Sequence, residues 1–498
     1  MERAAIITQA LRGYSRVVPK AGRERPEYYI ALLAGDGAAL VLGAAAALLL
    51  RYGLGELFSW LPPFDLARAV QDLKLHAWLF LPVPLALAYR RTYDRRLPFW
   101  EETRELIAGL TMGFIMAFAL VSIGKLTGQI SRLLIAMTFF FSLLSLPLVR
   151  WLVKMVLFRF SAFRRRAVVL GAGTVGQELV KGIAGEPFLG YEVIGFLDDD
   201  PGKHGRYVAG KKVFGPIERV SRFVSMLGVE SVFIAVPSFS AKRISEIFAN
   251  LQGLVREVSI VPEFRDIGML NADLSCLVAQ KLLLIRVQNN LQSLVNRIIK
   301  RGFDLVLSLA MIPVFAPLAL LIMVLIRLDS PGSPIFVQQR LGRDGKLFRL
   351  YKFRTMYENS DEILEGYFKS RPEALKEWEQ YRKLRNRDPR VTRVGRFLRY
   401  TSLDELPQFI NVLKGDMSLI GPRPYLLEEK EGMNGLESII LLTWPGLSGL
   451  WQVSGRNEMP FQDRLKVDAW YVLNWSLWLD ITILLRTINV ILRGRGAT

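Results

Sequence analysis

Four long apolar segments, separated by polar loops, occupy the first third of the chain. They lie near residues 29–50, 75–90, 106–124 and 133–156. About 20 consecutive apolar residues are enough for a helix to cross a membrane. The pattern therefore predicts a membrane α-helical N-terminal bundle of four spans over residues 1–160. The second segment is the shortest and contains Pro82 and Pro84, so its ends are the least defined.

The basic residues between these segments predict how the bundle is oriented. The first 27 residues, the loop at 90–104 and the chain beyond residue 159 are rich in arginine, whereas the loop at 51–74 balances its basic residues with acidic ones. Cytoplasmic loops carry an excess of lysine and arginine, so the arginine-rich stretches are expected in the cytoplasm. Asp36 lies within the first span. Such a carboxylate is a candidate functional group, and its place near the helix end also fits a structural or interfacial role.

After residue 160 the chain changes to short apolar runs that alternate with amphipathic stretches, which predicts an α/β Rossmann-like domain over residues 161–290. A buried strand at 167–170 leads directly into Gly171-Ala172-Gly173-Thr174-Val175-Gly176, and a strand at 191–197 ends at Asp198. This is the spacing of a dinucleotide-binding loop, with an acid where a ribose would bind. Further strands are predicted at 231–236 and 257–261.

This loop has two interpretations. In the first, it binds a nucleotide through Gly171, Gly173, Gly176 and Asp198. In the second, the glycines serve only the tight packing of strand against helix, and the domain has another role such as dimerisation. Both interpretations stay open.

Two adjacent carboxylates, Asp404 and Glu405, lie in the most basic part of the chain. The basic residues around them are Arg393, Arg396, Arg399, Lys414 and Arg423. Because nearby cations favour the charged form of a carboxyl group, we expect Asp404 to be held ionised. An ionised aspartate can hold Mg²⁺ or attack an electrophilic phosphorus, and the surrounding cations suit a phosphate-rich substrate. The same stretch also matches a helix capping box, with Ser402 as the N-cap and Glu405 reaching back to it.

Several sequence blocks around this acid pair resemble one bacterial enzyme family. The blocks are Gln339–Gly342, Tyr351–Met356, Ser402–Gln408, Asn411–Ser418, Gly421–Pro424 and Pro445–Asn457. In this order, they resemble the bacterial sugar transferases, which are monotopic polyprenyl-phosphate phosphoglycosyl transferases. The layout of the whole chain is similar to that of the undecaprenyl-phosphate galactose phosphotransferases within this family. The resemblance implies an α-rich catalytic domain over residues 291–498.

The resemblance also implies a reaction. A sugar 1-phosphate would pass from a UDP-sugar to undecaprenyl phosphate through a covalent bond to Asp404, in the first membrane step of O-antigen, capsule or exopolysaccharide synthesis. Asp404 would also contact Mg²⁺, the expected cofactor, and Glu405 would assist it. The residues expected to bind substrate or phosphate are Lys352, Arg354, Arg399, Arg423, Gln452 and Arg456. Galactose is the expected sugar and glucose the alternative. The other expected partners are membrane lipids and a second copy of the chain, as a homodimer.

A fifth apolar run, residues 305–328, lies at the start of this catalytic part. A fifth crossing would carry Asp404 to the side opposite the α/β domain, away from UDP-sugars in the cytoplasm. Pro313 and Pro317 lie in its middle, where a helix interior tolerates proline badly. We therefore predict a re-entrant helix, about 304–328, that breaks at Pro317 and returns to the cytoplasmic face of a bacterial inner membrane. The family has Ser-Pro at this break, and this chain has Ala316-Pro317. A kinked spanning helix is the alternative.

Composition narrows the remaining function classes. The 498 residues carry a net charge of +19, which favours anionic partners. Most basic residues flank apolar spans, so nucleic acid is not expected among them. The single cysteine excludes an intrachain disulfide, and the two distant histidines argue against a histidine-built zinc site.

Two other function classes remain as alternatives. One is an NAD-dependent nucleotide-sugar dehydratase, which needs Tyr-x-x-x-Lys on a helix; the match, Tyr207 and Lys211, lies in a glycine-bearing turn. The other is a non-catalytic scaffold for polysaccharide assembly, which would not need the clustered acids and arginines.

Overall fold

The computed structural model describes residues 25–58, 64–125, 131–251, 254–262, 273–277, 282–286, 290–370, 388–454 and 459–492. The chain forms two compact units, Met1–Glu263 and Phe264–Thr498. The finer division into domains at 1–160, 161–290 and 291–498 stays a prediction.

Helices account for the first part of the first unit. They are α1 (Pro26–Leu57), α2 (Leu66–Leu75), α3 (Pro82–Tyr89), α4 (Phe99–Ile123) and α5 (Arg132–Leu157), with a 3₁₀ turn at Ala77–Phe80 before α3. α1, α4 and α5 are each long and apolar enough to cross a membrane. The second predicted segment forms only the short apolar stretch Ala77–Tyr89. The four apolar segments are thus confirmed, and three of them are long helices.

A buried ion network joins these helices. Arg150 on α5 donates to both carboxylate oxygens of Asp36 on α1, and the Tyr93 hydroxyl donates to Asp36 Oδ2 at 2.7 Å. Lys154 Nζ lies 2.6 Å from Glu102 Oε2, one helix away. All four charged side chains are buried. An isolated charge in the apolar interior of a helix bundle would be very costly. The hydrogen bonds from Arg150 and Tyr93 give buried Asp36 its partners within the bundle.

The second part of the first unit is an α/β fold. Its elements are β1 (Arg165–Leu170), α6 (Thr174–Gly185), β2 (Tyr191–Leu197), β3 (Tyr207–Val208), β4 (Lys211–Val213), α7 (Val220–Leu227), β5 (Ser231–Ile234), α8 (Ala241–Leu251) and β6 (Glu257–Ile260). The strand order is β3-β4-β2-β1-β5-β6, and every pairing except β3 with β4 is parallel. The predicted strands at 167–170, 191–197, 231–236 and 257–261 are confirmed to within two residues.

Both faces of this sheet are covered, as its continuous apolar strands require. Val168 and Leu170 of β1 pack with α7 and α8, whereas Ala167 and Val169 pack with α6. Alternate residues of a strand point to opposite faces, so the helices lie on the two sides of the sheet.

The second unit begins with the hairpin β7 (Asp273–Leu277) and β8 (Leu282–Arg286), followed by the long helix α9 (Leu294–Asp329). The later elements are β9 (Ile335–Leu341), β10 (Leu347–Phe353), α10 (Ser360–Ser370), α11 (Arg393–Thr401), α12 (Gln408–Lys414), β11 (Ser418–Ile420), α13 (Glu437–Ile440), β12 (Gly446–Ser448), α14 (Leu450–Ser454), α15 (Phe461–Leu473) and α16 (Leu477–Leu492). This second unit is α-rich, as the resemblance implied for residues 291–498.

The long helix α9 contains the fifth apolar run. It is long and apolar enough to cross a membrane, and most of its apolar side chains are exposed, as on a lipid-facing surface. Pro313 and Pro317 both lie inside it, and the helix is continuous through them. The predicted break at Pro317 therefore does not interrupt the helix, and re-entry stays a prediction.

The first turns of α9 are fixed to the body of the second unit. Lys300 Nζ donates to Asp480 Oδ2 at 2.7 Å and to the Ile420 carbonyl at 2.9 Å. One helical turn later, Asp304 Oδ1 accepts from the Leu419 amide at 3.0 Å. Because Leu419 and Ile420 belong to β11, these buried contacts connect the apolar helix to the strand that leads into Gly421-Pro422-Arg423-Pro424.

Candidate active site

The acid pair lies on a short turn between two helices. α11 ends at Thr401, Ser402 adopts the left-handed conformation (φ 58°, ψ 18°), and Leu403–Glu405 form a 3₁₀ turn before α12. The capping-box hypothesis is wrong, because Ser402 closes the preceding helix and its side chain caps nothing. Glu405 instead points to β10, where its Oε1 lies 2.7 Å from Lys352 Nζ.

The pKa of Asp404 is raised, whereas the basic residues near it in the sequence led us to expect a lowered pKa. Burial is the main influence and raises the pKa of Asp404 to about 6, with a further increase from the adjacent Glu405. Lys352 and Arg399 lower the pKa, but by less. The expected direction of the shift is therefore wrong, because counting charges along the sequence does not register the loss of water around the carboxylate. At neutral pH Asp404 is still mostly ionised.

A cleft opens beside this turn. It is lined by Arg340, Leu350, Lys352, Glu405, Gln408, Gly421, Arg423, Pro424, Gly446, Leu447, Ser448, Trp451 and Gln452. Four of the predicted site residues thus meet in one place: Lys352, Glu405, Arg423 and Gln452. They come from the β9–β10 hairpin, the acid turn, the loop after β11 and helix α14. The arrangement joins the Glu405 carboxylate and several cations in one concave site, which suits a phosphate-bearing ligand.

The other predicted cations have different surroundings. Arg399 acts on Asp404 electrostatically, and its Nε donates to Thr355 Oγ1 at 2.9 Å. Arg354 is buried, and its Nη2 donates to the Ser330 carbonyl and hydroxyl at 2.8 and 2.9 Å, at the end of α9. Arg354 does not line the cleft, so these contacts favour a structural role over the predicted binding of phosphate. Arg456 lies outside the described residues.

A buried carboxylate shapes the loop that carries Arg423. Asp468 Oδ2 accepts from the Arg423 amide at 3.0 Å and from the Tyr425 hydroxyl at 2.7 Å. Burial raises the pKa of Asp468 to about 7, against the lowering effect of these two hydrogen bonds. Asp468 lies 45 residues beyond Arg423, and the sequence analysis did not identify it.

Arg340 is the second residue that sequence reasoning missed. It lines the cleft with Arg423, and burial, followed by the charge of Arg423, lowers its pKa. A signal was available, since Arg340 lies in one of the blocks that resemble the family. The sequence alone could not distinguish it from the many other arginines of a basic chain.

The glycine loop of the first unit is closely packed. Gly171 has φ +99°, and a Cβ at Gly176 would collide with the Gly171 carbonyl oxygen. Asp198 Oδ2 accepts from the Ala172 amide at 2.7 Å and lies 3.2 Å from Lys203 Nζ. These contacts support the packing interpretation for Gly171, Gly176 and Asp198. A Cβ at Gly173 would meet open space, and binding of a nucleotide stays a prediction.

Two of the expected chemistries can be compared with the geometry. Within the described part of the chain, no group of three or more His, Cys, Asp or Glu residues is placed to hold a metal ion. Mg²⁺ is often held by one or two carboxylates together with substrate phosphates, so Asp404 and Glu405 fit such an ion.

Tyr207 and Lys211 lie on the paired strands β3 and β4 and not on one helix, which removes the support for the dehydratase alternative.

The chain is similar to known protein families and to individual proteins over most of its length. Residues 295–494 match the family model described as bacterial sugar transferase, and residues 89–262 match one described as CoA-binding domain. The chain is 34% identical to the UDP-galactose-lipid carrier transferase of Erwinia amylovora, over 92% of this chain and 94% of that protein. It is 37% identical to the undecaprenyl-phosphate galactose phosphotransferase of Salmonella typhimurium, over 82% of this chain and 84% of that protein.

A third relative has a different sugar in its name. The UDP-glucose:undecaprenyl-phosphate glucose-1-phosphate transferase of Escherichia coli is 31% identical, over 65% of this chain and 67% of that protein. The similarity to the two galactose-named relatives extends over both compact units. This chain belongs to the bacterial sugar transferase family.

Proposed function

We propose that the protein transfers galactose 1-phosphate from UDP-galactose to undecaprenyl phosphate, which yields undecaprenyl-diphosphate-galactose and UMP. The observation that carries the proposal is the cleft, in which Lys352, Glu405 and Arg423 meet beside the short turn that carries Asp404. A phosphoryl group in transfer needs a nucleophile on one side and cations around its oxygens. The names of two relatives that match more than 80% of this chain support galactose as the sugar.

The route that we propose has two steps. In the first, Asp404 Oδ bonds to the sugar-bearing phosphorus of UDP-galactose while the bond from that phosphorus to the bridging oxygen breaks, and UMP leaves with that oxygen. In the second, an oxygen of undecaprenyl phosphate bonds to the same phosphorus while the bond to Asp404 breaks. Burial suits Asp404 for this role, since a less hydrated carboxylate needs less desolvation before it attacks.

The neighbouring residues have supporting roles in this route. Lys352 and Arg399 keep Asp404 ionised against the effects of burial and of Glu405. Asp404 and Glu405 would hold Mg²⁺ together with the substrate phosphates, and the ion would neutralise charge on those phosphates. Arg423 and Gln452 line the same cleft as Glu405, where they can bind the nucleotide or the lipid phosphate.

We further propose that the protein works at the cytoplasmic face of a bacterial inner membrane, in the first membrane step of polysaccharide synthesis. The support is the arginine-rich loops at 90–104 and after residue 159, the candidate spans α1, α4 and α5, and the exposed apolar surface of α9. Helix α9 would enter the membrane and return to the same side.

The test is UMP release by the purified protein with Mg²⁺ and undecaprenyl phosphate, compared across UDP-galactose, UDP-glucose and the two UDP-N-acetylhexosamines. Release from UDP-galactose, lost in Asp404→Asn, is the expected result. Release from UDP-glucose alone would keep the reaction and change the sugar, the second candidate that the glucose-named relative favours. A protein that releases UMP from none of these donors would contradict the proposal.

A further inference from the structure

Arg340 lies on the cleft face of the β9–β10 hairpin. In the antiparallel register Arg340 pairs with Phe348, so its side chain points to the same face as those of Leu350 and Lys352. All but Phe348 of these residues line the cleft. Arg349, the next residue along β10, points to the opposite face and is exposed. The hairpin therefore offers one arginine inside the cleft and one outside it.

The Arg340 guanidinium is fixed in position by uncharged acceptors. Nη1 donates to the Pro424 carbonyl at 3.1 Å, and Nη2 donates to Gln338 Oε1 at 2.7 Å. These bonds use two of its five N–H groups, and among the described residues no carboxylate lies within ion-pair distance of its guanidinium. The pKa of Arg340 responds first to burial and then to Arg423, Glu429 and Glu405. Its guanidinium thus lies within electrostatic range of both Arg423 and the acid turn.

Arg423 is only weakly neutralised as well. Its Nη2 lies 3.8 Å from Glu429 Oε1, at the outer limit of an ion pair. Two partly buried guanidinium groups of like charge repel each other, and an anion between them would relieve the repulsion. Their planar donor groups match the oxygens of a phosphate.

The proposed route needs a phosphate site on the far side of the reacting phosphorus from Asp404. In an in-line displacement the entering and leaving oxygens lie opposite each other. UMP therefore departs on the side away from Asp404. The lipid phosphate must approach from that same side, because it displaces Asp404.

We propose that Arg340 and Arg423 together form this phosphate site, which holds the phosphate of departing UMP and then the phosphate of undecaprenyl phosphate. The inference rests on the proposed function and assigns Arg340 to the reaction. It explains why the side chain of Arg340 is held by a hydrogen bond to the carbonyl of Pro424, the residue next to Arg423. It also requires the two ligands to exclude each other.

The experiment measures UMP binding by calorimetry to the full-length protein in detergent micelles with Mg²⁺, without any sugar donor. We expect Arg340→Met to raise the Kd for UMP at least tenfold and Arg349→Met, the matched control on the other face of the hairpin, to change it less than twofold. Addition of undecaprenyl phosphate to wild-type protein should raise the apparent Kd for UMP, whereas undecaprenol, which lacks the phosphate, should not.

Two results would overturn the inference: wild-type affinity for UMP in Arg340→Met, or UMP binding that undecaprenyl phosphate leaves unchanged. If Arg340→Met does not fold, as judged by its melting curve, Arg340→Lys replaces it, since lysine keeps the charge but not the two-pronged donor. A several-fold weaker binding is then expected, and wild-type affinity overturns the inference. Because no donor is present, the result is independent of whether UDP-galactose is the true substrate.

Discussion

Lys352 and Glu405 form an ion pair at the edge of the acid turn, with 2.7 Å between Lys352 Nζ and Glu405 Oε1. The two residues act on Asp404 in opposite directions, since Lys352 lowers its pKa and Glu405 raises it. Burial has the largest effect on this pKa, and the pair adjusts the pH at which the proposed nucleophile, Asp404, becomes ionised. Without substrate, that pH is about 6.

This balance predicts opposite shifts in two variants. The acid limb of the kcat/KM profile for UMP release should lie near pH 6 in the wild type, because activity requires ionised Asp404 and falls as the pH drops through its pKa. Lys352→Met should move this limb to higher pH, since it removes a cation and leaves Glu405 unpaired. Glu405→Gln should move it to lower pH. Limbs that stay in place in both variants would show that another group controls the profile.

Asp404→Asn should reduce UMP release by at least about a thousandfold, as expected when a covalent nucleophile is removed. The side chain is nearly isosteric, and the loss of a buried charge should leave the melting temperature unchanged or higher. The measurement is UMP release and melting temperature on the same preparation. Substantial residual release from a folded variant would exclude the covalent route while leaving the overall reaction possible.

Asp468 should make stability depend on pH. Its pKa in the folded protein, about 7, is above the ordinary value of 3.8, so the folded state favours the protonated form. Its contribution to stability is therefore full below about pH 4 and is lost as the pH rises through 7. Asp468→Asn should remove this dependence, so the melting temperature of the wild type relative to the variant should fall by several degrees from pH 5 to pH 8.

Asp463→Asn is the control for this measurement, because Asp463 is an exposed aspartate on the same helix, α15. Its melting temperature should follow that of the wild type across the same pH range. Parallel curves for wild type and Asp468→Asn would contradict the assignment of the pH dependence to the buried carboxylate.

The ion pair between Asp36 and Arg150 predicts that substitutions of these two residues have non-additive effects on stability. Removal of one member leaves the other charge buried without a partner, which typically costs about 3–5 kcal/mol. Asp36→Leu and Arg150→Leu should each lower the melting temperature in detergent strongly. The double variant should be more stable than either single variant, since it leaves neither charge behind. Additive losses would mean that the two residues stabilise the bundle independently.

The orientation of α9 can be tested with single cysteines in a Cys276→Ser background. Leu294→Cys and Ser333→Cys lie at exposed positions at the start of α9 and just after its end. If α9 is re-entrant, a membrane-impermeant maleimide should label both only after the inner membrane is opened. Arg68→Cys, in the loop predicted to face outward, should be labelled in spheroplasts with intact inner membranes. Labelling of Ser333→Cys in those spheroplasts would favour a spanning helix.

The sequence predicted the local elements well, because their signals are local. The strand at 191–197 has the predicted bounds, since an apolar run between a glycine and an aspartate leaves little choice of ends. The prediction of a capping box was wrong because a serine at this position can either begin a helix or follow the end of one. Only the left-handed backbone at this residue shows that it closes α11 instead of opening the next helix.

Interactions between distant residues were the part that the sequence could not supply. Asp36 and Arg150 are 114 residues apart, and Asp468 and Arg423 are 45 apart. Each charge alone is compatible with several roles, and the pairing that selects one role depends on the tertiary fold. The direction of the Asp404 pKa shift was missed for the same reason, since burial is a property of the folded chain.

Through the hydrogen bond from Lys300 to the Ile420 carbonyl, the lipid around α9 would act on the cleft. A bilayer that is thinner or thicker than the apolar length of α9 would tilt or displace that helix. Because β11 is bonded to the first turns of α9, such a displacement would carry the Arg423 loop with it as one body. If α9 is re-entrant, bilayer thickness would thereby set the height of the cleft above the headgroups, and with it the access of a membrane-embedded phosphate.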